Sequence, residues 1–176
     1  MTRPAHPRVA EVADLLAASG AAGQVRELAG SARTAAEAAA QLGVPVGAIA
    51  NSLVFDIDGD PLLVLTSGGH RVDEVQVAGL LGVPRVRRAS PDFVREHTGQ
   101  PIGGVAPIGH PAPIGTLVDV ELARHDHVWA SAGHPSAVFP TSYEELLRLT
   151  AGTAAEVGGS QIADGSSPDV EEAVGP

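Results

Sequence analysis

NSLVFDIDGDPLLVLT, residues 51–66, is the stretch of the sequence that does most to decide the fold. Two apolar runs, 52–57 and 61–66, flank the short segment Asp58-Gly59-Asp60. A glycine at this place can adopt positive φ at little cost, which is typical of the turn of a β-hairpin. We therefore predict two antiparallel strands joined by a three-residue turn.

Outward from this hairpin, short helices and short strands are mixed along the chain. Apolar spacing, capping residues and glycine stops predict helices over 6–19, 34–42, 73–82, 90–99 and 141–149. Strands are predicted over 24–28, 85–88, 116–120, 127–131 and 137–140. This mixture favours an α+β domain with a mixed sheet. A doubly wound nucleotide-binding fold is not expected, because no Walker sequence and no complete G-x-G-x-x-G lies between a strand and a helix.

The length of 176 residues suits one domain, and the composition changes near its end. Residues 1–157 are predicted to form that domain. Residues 158–176 are rich in Gly, Ser, Asp and Pro, which predicts an acidic disordered tail.

The residue composition excludes several classes of chemistry and of binding partner. The formal net charge is −10, there is no cysteine, and all 11 basic residues are arginine. Disulfides, a cysteine nucleophile and lysine Schiff-base chemistry are therefore excluded. The acidic charge argues against a broad phosphate-binding surface and against DNA as a partner. No signal peptide or membrane-spanning apolar run is recognised, so a cytoplasmic protein without membrane contact is expected.

The segment GGVAPIGHP, residues 103–111, is the strongest candidate for a functional loop. Two adjacent glycines, Gly103 and Gly104, let backbone N–H groups approach a ligand, and the following prolines stiffen the chain. Donors held in place in this way could stabilise a developing oxyanion. The alternative interpretation is a surface loop that turns twice.

Two other groups of residues are alternative candidates for a functional site. His125-Asp126-His127 offers two histidines on one strand face but no third ligand, so no metal and no cofactor are predicted. A Ser-His-Asp set can be drawn from Ser131, His134 and Asp119. No G-x-S-x-G elbow exists, however, and a nucleophilic serine is not expected.

Five segments of the chain are informative when taken together and in order: 51–55, 103–109, 116–119, 128–133 and 144–147. They resemble the YbaK/prolyl-tRNA-synthetase-associated family of aminoacyl-tRNA deacylase domains. The resemblance extends over about residues 6–157 and implies a curved mixed sheet, partly closed into a barrel and flanked by short helices. It also implies hydrolysis of a mischarged small amino acid from tRNA, most often prolyl-tRNA, with tRNA and an aminoacyl-tRNA synthetase as partners.

The same resemblance assigns roles to individual residues. Asn51, Gly103 and Gly104 are the catalytic candidates, with the glycine N–H groups facing the oxyanion. Six further residues are candidates for substrate binding: Ser52, Pro107, Gly109, Ser131, Gly133 and His134. The basic cluster of Arg71, Arg85, Arg87 and Arg88 is the candidate for tRNA contact, although a solvated strand face explains it equally well.

Asn51 stands where deacylases of this family usually carry lysine. Asparagine can hydrogen-bond a carbonyl or a water, but it supplies no positive charge. Two alternatives to an active deacylase follow. One is a catalytically weak or inactive module that binds aminoacyl-tRNA or a synthetase, and the other is a hydrolase of small esters or amino-acid derivatives.

Overall fold

A computed structural model describes residues 6–160 of the chain. Its helices are α1 (Pro7–Ala18), α2 (Ala35–Leu42), α3 (Glu74–Leu81), α4 (Pro91–Thr98) and α5 (Tyr143–Thr150). Short 3₁₀ helices span Val46–Ala48 and Val120–Arg124. Ten strands complete the described chain: β1 (Arg26–Glu27), β2 (Ile49–Ile57), β3 (Asp60–Ser67), β4 (His70–Val72), β5 (Arg87–Arg88), β6 (Gly115–Asp119), β7 (Val128–His134), β8 (Ala137–Thr141), β9 (Thr153–Ala155) and β10 (Gly158–Ser160).

The hairpin of β2 and β3 is confirmed, with a tighter turn than predicted. Ile57 pairs with Asp60, so only Asp58 and Gly59 lie between the strands. Both have positive φ, 54° and 98°, as the favoured two-residue hairpin turn requires. The Asp56 carboxylate accepts a hydrogen bond from the Gly59 N–H at 2.6 Å. The predicted three-residue turn is therefore wrong by one residue, because Asp60 already belongs to β3.

Side-chain caps fix the helix starts that the sequence indicates. Thr34, Asp73 and Ser90 each accept a hydrogen bond from the backbone N–H three residues on. At α5 the cap is Ser142, one residue later than the predicted capping box. Thr141 ends β8, and its hydroxyl donates to the Glu145 carboxylate at 2.7 Å.

The main sheet is mixed, which confirms the predicted α+β class. Its strand order is β1-β8-β7-β2-β3-β6-β9, with β5 pairing the far end of β2. The β3 run is apolar on both faces because each face packs on a separate cluster. Leu63 and Leu65 belong to the larger cluster, and Leu62 and Val64 to the second, which also contains Phe55. No helix within residues 6–160 is long and apolar enough to cross a bilayer.

The ordered domain extends past the predicted boundary at residue 157. β10 pairs antiparallel with β4, and the Asp73 N–H donates to the Val157 carbonyl at 2.8 Å. Val157 is fully buried. The first three residues of the predicted tail thus form a strand, whereas residues 161–176 lie outside the described part of the chain.

Truncation tests how much each of these two parts of the predicted tail contributes to stability. A chain ending at Ser160 should melt like the full chain, because the composition beyond it offers few apolar groups to offset ordering entropy. A chain ending at Val157 loses the β10–β4 ladder, and its Tm should fall by about 2–4 °C, equivalent to about 1 kcal/mol. Thermal unfolding of both truncated proteins measures this difference, and equal Tm values would contradict the contribution of β10.

Candidate active site at a gap in the sheet

The candidate site lies where one edge of β2 is free of a neighbouring strand. On that edge, β7 pairs with β2 only at Ile49 and Ala50, and β5 pairs with it only at Phe55 and Asp56. In the described part of the chain, residues 51–54 therefore form a gap between two partner strands. An open sheet edge presents backbone donors and acceptors that a ligand can use.

Backbone hydrogen bonds on either side of the gap show which residue faces it. The Ile49 carbonyl accepts from the Gly68 N–H next to β3, whereas the Val54 carbonyl accepts from the Ala89 N–H on the β5 side. Because N–H and C=O groups alternate between the two edges along a strand, Ser52 directs both of its backbone groups into the gap. Ser52 can therefore donate to and accept from a bound molecule through its main chain.

A cavity of about 460 Å³ occupies this gap. Asn51 and Ser52 form its floor with Val54, and Gly103 and Val105 approach from the glycine-rich loop. A smaller cavity of about 30 Å³ adjoins it and is also lined by Asn51 and Gly103, together with Ser131. The structure thus brings together four of the residues singled out in the sequence: Asn51, Ser52, Gly103 and Ser131.

Gly103 and Gly104 take different places although they are adjacent. Gly103 has φ +90°, and a Cβ there would meet nothing within 4 Å, so it borders open space. A Cβ on Gly104 would lie 2.8 Å from the backbone of His134. The Gly104 N–H already donates to the Pro101 carbonyl at 3.0 Å. Gly104 is therefore a position of close backbone packing, and its N–H is engaged inside the loop.

Gln100 holds the glycine-rich loop in shape and was missed by sequence reasoning. Its side chain is fully buried. Its Oε1 accepts from the Ala106 N–H at 2.6 Å, and its Nε2 donates to the Ile108 carbonyl at 3.3 Å. A weaker contact reaches the Gly109 carbonyl at 3.5 Å. One glutamine amide therefore satisfies backbone groups on either side of Pro107.

His110 supports the same loop from its far end. Its Nε2 lies 2.9 Å from the Ala106 carbonyl, to which it donates. Burial lowers the pKa of His110, and the hydrogen bond to Ala106 only partly opposes that effect. The neutral ring is therefore the form that the folded loop favours, with its proton on Nε2.

The remaining predicted substrate-binding residues lie away from these two cavities. Gly109 packs beside Gln100 and Leu15, and Pro107 is buried behind the loop. Gly133 has φ +100°, and a Cβ there would press on the Arg8 side chain at 3.0 Å. None of these three residues lines either of the two cavities.

His134 likewise faces away from the gap. Its ring lies 4.6 Å from that of His6, and its Nδ1 accepts from the Ser136 N–H at 3.1 Å. Burial, with repulsion from His6, lowers the pKa of His134 in spite of an opposing effect of Glu27. His134 therefore has a structural role, because it accepts a hydrogen bond within the turn between β7 and β8.

Arginines supply positive charge to the cavity, although the chain has no lysine. Arg88 lines the main cavity from β5, and Arg33 lines both cavities from the segment before α2. Arg71 and Arg88 also border a third cavity of about 410 Å³. Arg85 and Arg87 are exposed nearby. Sequence reasoning missed Arg33, since only the fold brings it to Asn51.

A buried carboxylate, that of Asp119, binds two residues that line the third cavity, Thr66 and His70. Asp119 accepts from His70 Nδ1 at 2.9 Å, from the Ser67 N–H at 3.0 Å and from the Thr66 hydroxyl at 3.2 Å. Its other oxygen accepts from the Glu121 N–H at 3.0 Å and so caps the following 3₁₀ helix. Thr66 is the cross-strand partner of Asn51, so this cluster fixes the strand pair that carries the site.

This fold is that of the aminoacyl-tRNA editing domains. The family model with that description matches residues 29–149. The chain therefore belongs to the aminoacyl-tRNA editing domain family. The crystal structure of a proposed trans-editing enzyme for prolyl tRNA synthetase agrees with it at TM-score 0.83 and 39% identity, over 89% of this chain and 100% of that one.

Two relatives show how the similarity is distributed. The uncharacterized protein YwhH of Bacillus subtilis is 32% identical over 127 residues, which are 72% of this chain and 80% of YwhH. The proline–tRNA ligase of Nitratidesulfovibrio vulgaris is 35% identical over 98 residues, 56% of this chain. The match spans only 17% of that ligase, so the similarity concerns one part of a much longer protein.

Proposed function

We propose that this protein is a trans-editing deacylase that hydrolyses the ester between a mischarged small amino acid and the terminal adenosine of tRNA, with tRNA(Pro) as the substrate to test first. The observation that carries the proposal is the meeting of Asn51, Ser52 and Gly103 around a cavity at a free sheet edge. Membership of the editing-domain family and the structural neighbour support the reaction class.

The proposed reaction needs a water molecule and donors for the ester oxygen. Water adds to the carbonyl carbon, the bond to the ribose oxygen breaks, and that oxygen takes up a proton as the free amino acid leaves. Hydrogen-bond donors aimed at the tetrahedral oxyanion accelerate such a step. The backbone N–H of Ser52 and the Gly103 segment are the proposed donors, and the Asn51 amide would orient the ester or the water.

The proposed partner is the acceptor end of tRNA, approached through a few arginines. The net charge of −10 opposes a broad contact with phosphates. Arg33 and Arg88 border the cavity itself, and Arg71 lies beside the next one. Binding of bare tRNA should therefore be weak and salt-sensitive, and an aminoacyl-tRNA synthetase is the proposed additional partner.

Deacylation of mischarged tRNA by Asn51 variants tests the proposal. Asn51→Ala should lower kcat/KM by about 5- to 150-fold, because losing a hydrogen bond that the bound substrate buries costs about 1–3 kcal/mol. Asn51→Lys should keep or raise the rate, since it adds a positive charge beside the developing oxyanion. Rates on a panel of mischarged tRNAs, with correctly charged tRNA(Pro) as the control substrate, measure both effects.

Two outcomes would contradict the proposal in different ways. If the parent protein leaves every ester in the panel intact but still binds aminoacyl-tRNA, it is a binding module without turnover. If Asn51→Ala and Asn51→Lys both hydrolyse mischarged tRNA at the parent rate, the reaction class survives and the site assignment is wrong.

A further inference from the structure

The arginines at the two large cavities have no carboxylate partner in the described part of the chain. Arg33, Arg71 and Arg88 line these cavities, and none of their guanidinium groups forms an ion pair within residues 6–160. Four other arginines each pair with a carboxylate three residues away along the chain: Arg8, Arg95, Arg124 and Arg148. An acidic protein thus keeps three unpaired cations at its candidate site, where they attract anions.

The main cavity and the third cavity share part of their walls. Asn51, Leu53 and Arg88 line both of them. Among the described residues, the wall of the main cavity contains no carboxylate, and the wall of the third contains only that of Glu74. We call the lining formed by Arg33, Arg71 and Arg88 the arginine surface. It suits an extended anionic chain, because little fixed negative charge opposes one there.

The last described strand leads the chain to this surface. β10 runs antiparallel to β4, and its final residue, Ser160, lies opposite His70. The chain at Ser160 is therefore directed toward Gly69, the residue before His70. His70 lines the third cavity, and Gly69 lines the main cavity. Residues 161–176 thus begin beside both cavities.

The side-chain charges of residues 161–176, the acidic segment, are all negative. The segment has no arginine, lysine or histidine, and its acids are Asp164, Asp169, Glu171 and Glu172. An extended chain spans at most about 3.6 Å per residue, so Asp164 lies within about 14 Å of Ser160 and Asp169 within about 32 Å. Arg71 pairs with Gly159 in the β10–β4 ladder, so it is within reach of these carboxylates.

We infer that the acidic segment binds the arginine surface of its own chain and competes there with the phosphates of tRNA. The competition rests on the proposed function, whereas the contact itself does not. A segment on a short tether has an effective concentration of about millimolar, so a contact with a Kd of about 1 mM is formed about half of the time. The acceptor end of tRNA, which offers several phosphates together, displaces the segment, whereas an anion with one or two charges competes poorly with it.

The contact is weak and reversible. Ion pairs between exposed groups contribute little to stability, and salt screens them over a Debye length of about 10 Å at 0.1 M. At ordinary ionic strength the contact therefore adds little to the Tm, which agrees with the similar melting expected of the full chain and of a chain ending at Ser160. Binding of tRNA at low ionic strength is the more sensitive measure.

Binding of uncharged tRNA(Pro) to three proteins measures the competition. They are the full chain, a chain ending at Ser160, and a full-length variant with a neutral segment: Asp164→Asn, Asp169→Asn, Glu171→Gln and Glu172→Gln. At low ionic strength both altered proteins should bind with a Kd about 2- to 5-fold lower than that of the full chain, and the difference should shrink as salt is added. Equal Kd values for the three proteins overturn the inference.

A second background separates a specific contact from general repulsion between the segment and RNA. The same three proteins are compared with Arg71→Gln and Arg88→Gln added to each. All of them should bind tRNA more weakly, and the gain from removing or neutralising the segment should largely disappear, because the segment has lost its binding surface. A gain of the same size in both backgrounds would mean that the segment only repels RNA at a distance, and the inference fails.

A spin label detects the contact without any RNA. The chain has no cysteine, so Ser166→Cys provides one attachment point for a nitroxide. The label should broaden the amide signals of Gly69 and Arg88 more strongly with the acidic segment than with the neutral segment of equal length, and about 1 M salt should remove the difference. Equal broadening overturns the inference. Broadening found only between labelled and unlabelled molecules would assign the contact to a second copy and overturn it as well.

These measurements also separate the inference from the proposed function. If the segment contacts the arginine surface and competes with tRNA, but no ester is hydrolysed, the proposed reaction fails and the inference stands. If mischarged tRNA is hydrolysed and the neutral segment changes neither tRNA binding nor the broadening, the reaction stands and the inference is refuted.

Discussion

Replacing Gln100 by alanine is expected to lower the free energy of unfolding by about 3 kcal/mol and the Tm by about 6–12 °C. The buried amide makes two short contacts with the loop, to the Ala106 N–H at 2.6 Å and to the Ile108 carbonyl at 3.3 Å. Ala106 is itself fully buried, so its N–H would be left without a partner or solvent. An unpaired buried donor costs more than the hydrogen bond contributed.

Activity should fall further than stability explains. The loop that Gln100 holds also presents Gly103 to the cavity, and a loosened loop places the proposed donors poorly. Deacylation measured well below the Tm of the variant should show a fall in kcat/KM of about tenfold or more. Hydrogen exchange at the Ala106 amide reports the loosening directly, since that proton loses its acceptor.

Gln41 provides a matched control for this prediction. Its side chain also bridges two backbone groups, donating to the Gly30 carbonyl and accepting from the Gly30 N–H, each at 3.2 Å. Unlike Gln100, it is exposed, so water replaces both partners when it is removed. Gln41→Ala should therefore change stability by less than about 0.5 kcal/mol. Equal losses from both variants would show that burial of Gln100 is not what matters.

Much of the fold could be predicted because its signals are local. The two-strand hairpin rests on a turn and two apolar runs, and the cap residues Thr34, Asp73 and Ser90 need only their own helix. The boundary errors are of one residue at the hairpin turn and at the start of α5, and of three residues at the start of β2 and the end of β7. The short strands β4 and β9 were not predicted. The β10 strand was missed for a different reason, since glycine and serine carry no strand preference and its partner β4 is distant in sequence.

The site could be predicted only in part, because the fold assembles it from segments far apart. Asn51 was found through the resemblance to the family and Gly103 through its glycine-rich loop, and the structure places both at one cavity. The gap in the sheet depends on where β5 and β7 stop pairing with β2, which no local pattern reveals. Arg33 reaches the cavity for the same reason. Gly133 and His134 were placed in the cavity because their segment is similar to a family motif, yet both pack toward the N-terminal helix.

Replacing Asp119 by alanine should have the largest effect on stability, a loss of about 3–5 kcal/mol. Its carboxylate is almost fully buried and accepts hydrogen bonds from three elements: β3, β4 and the following 3₁₀ helix. Removing it leaves the Ser67 N–H, the Thr66 hydroxyl and His70 without their shared acceptor. Asp73→Ala is the matched control, because Asp73 also caps a helix but is exposed. That control should lose only about 1 kcal/mol.

A double-mutant cycle with His70 decides how this stability arises. His70→Ala alone leaves the buried Asp119 carboxylate short of one donor at 2.9 Å, and Asp119→Ala alone leaves the histidine without its acceptor. If the two side chains stabilise the fold through each other, the double variant should be more stable than the sum of the single losses predicts, by about 0.5–3 kcal/mol. Chemical denaturation of the four proteins measures this coupling energy.

A coupling near zero would mean that Asp119 acts through the Ser67 and Glu121 N–H groups alone, and that His70 is only a neighbour on the wall of the third cavity. A coupling within the expected range would mean that the contact between Asp119 and His70 joins β4 to the end of β6. That contact would then keep Thr66 opposite Asn51, and with it the geometry of the proposed active site.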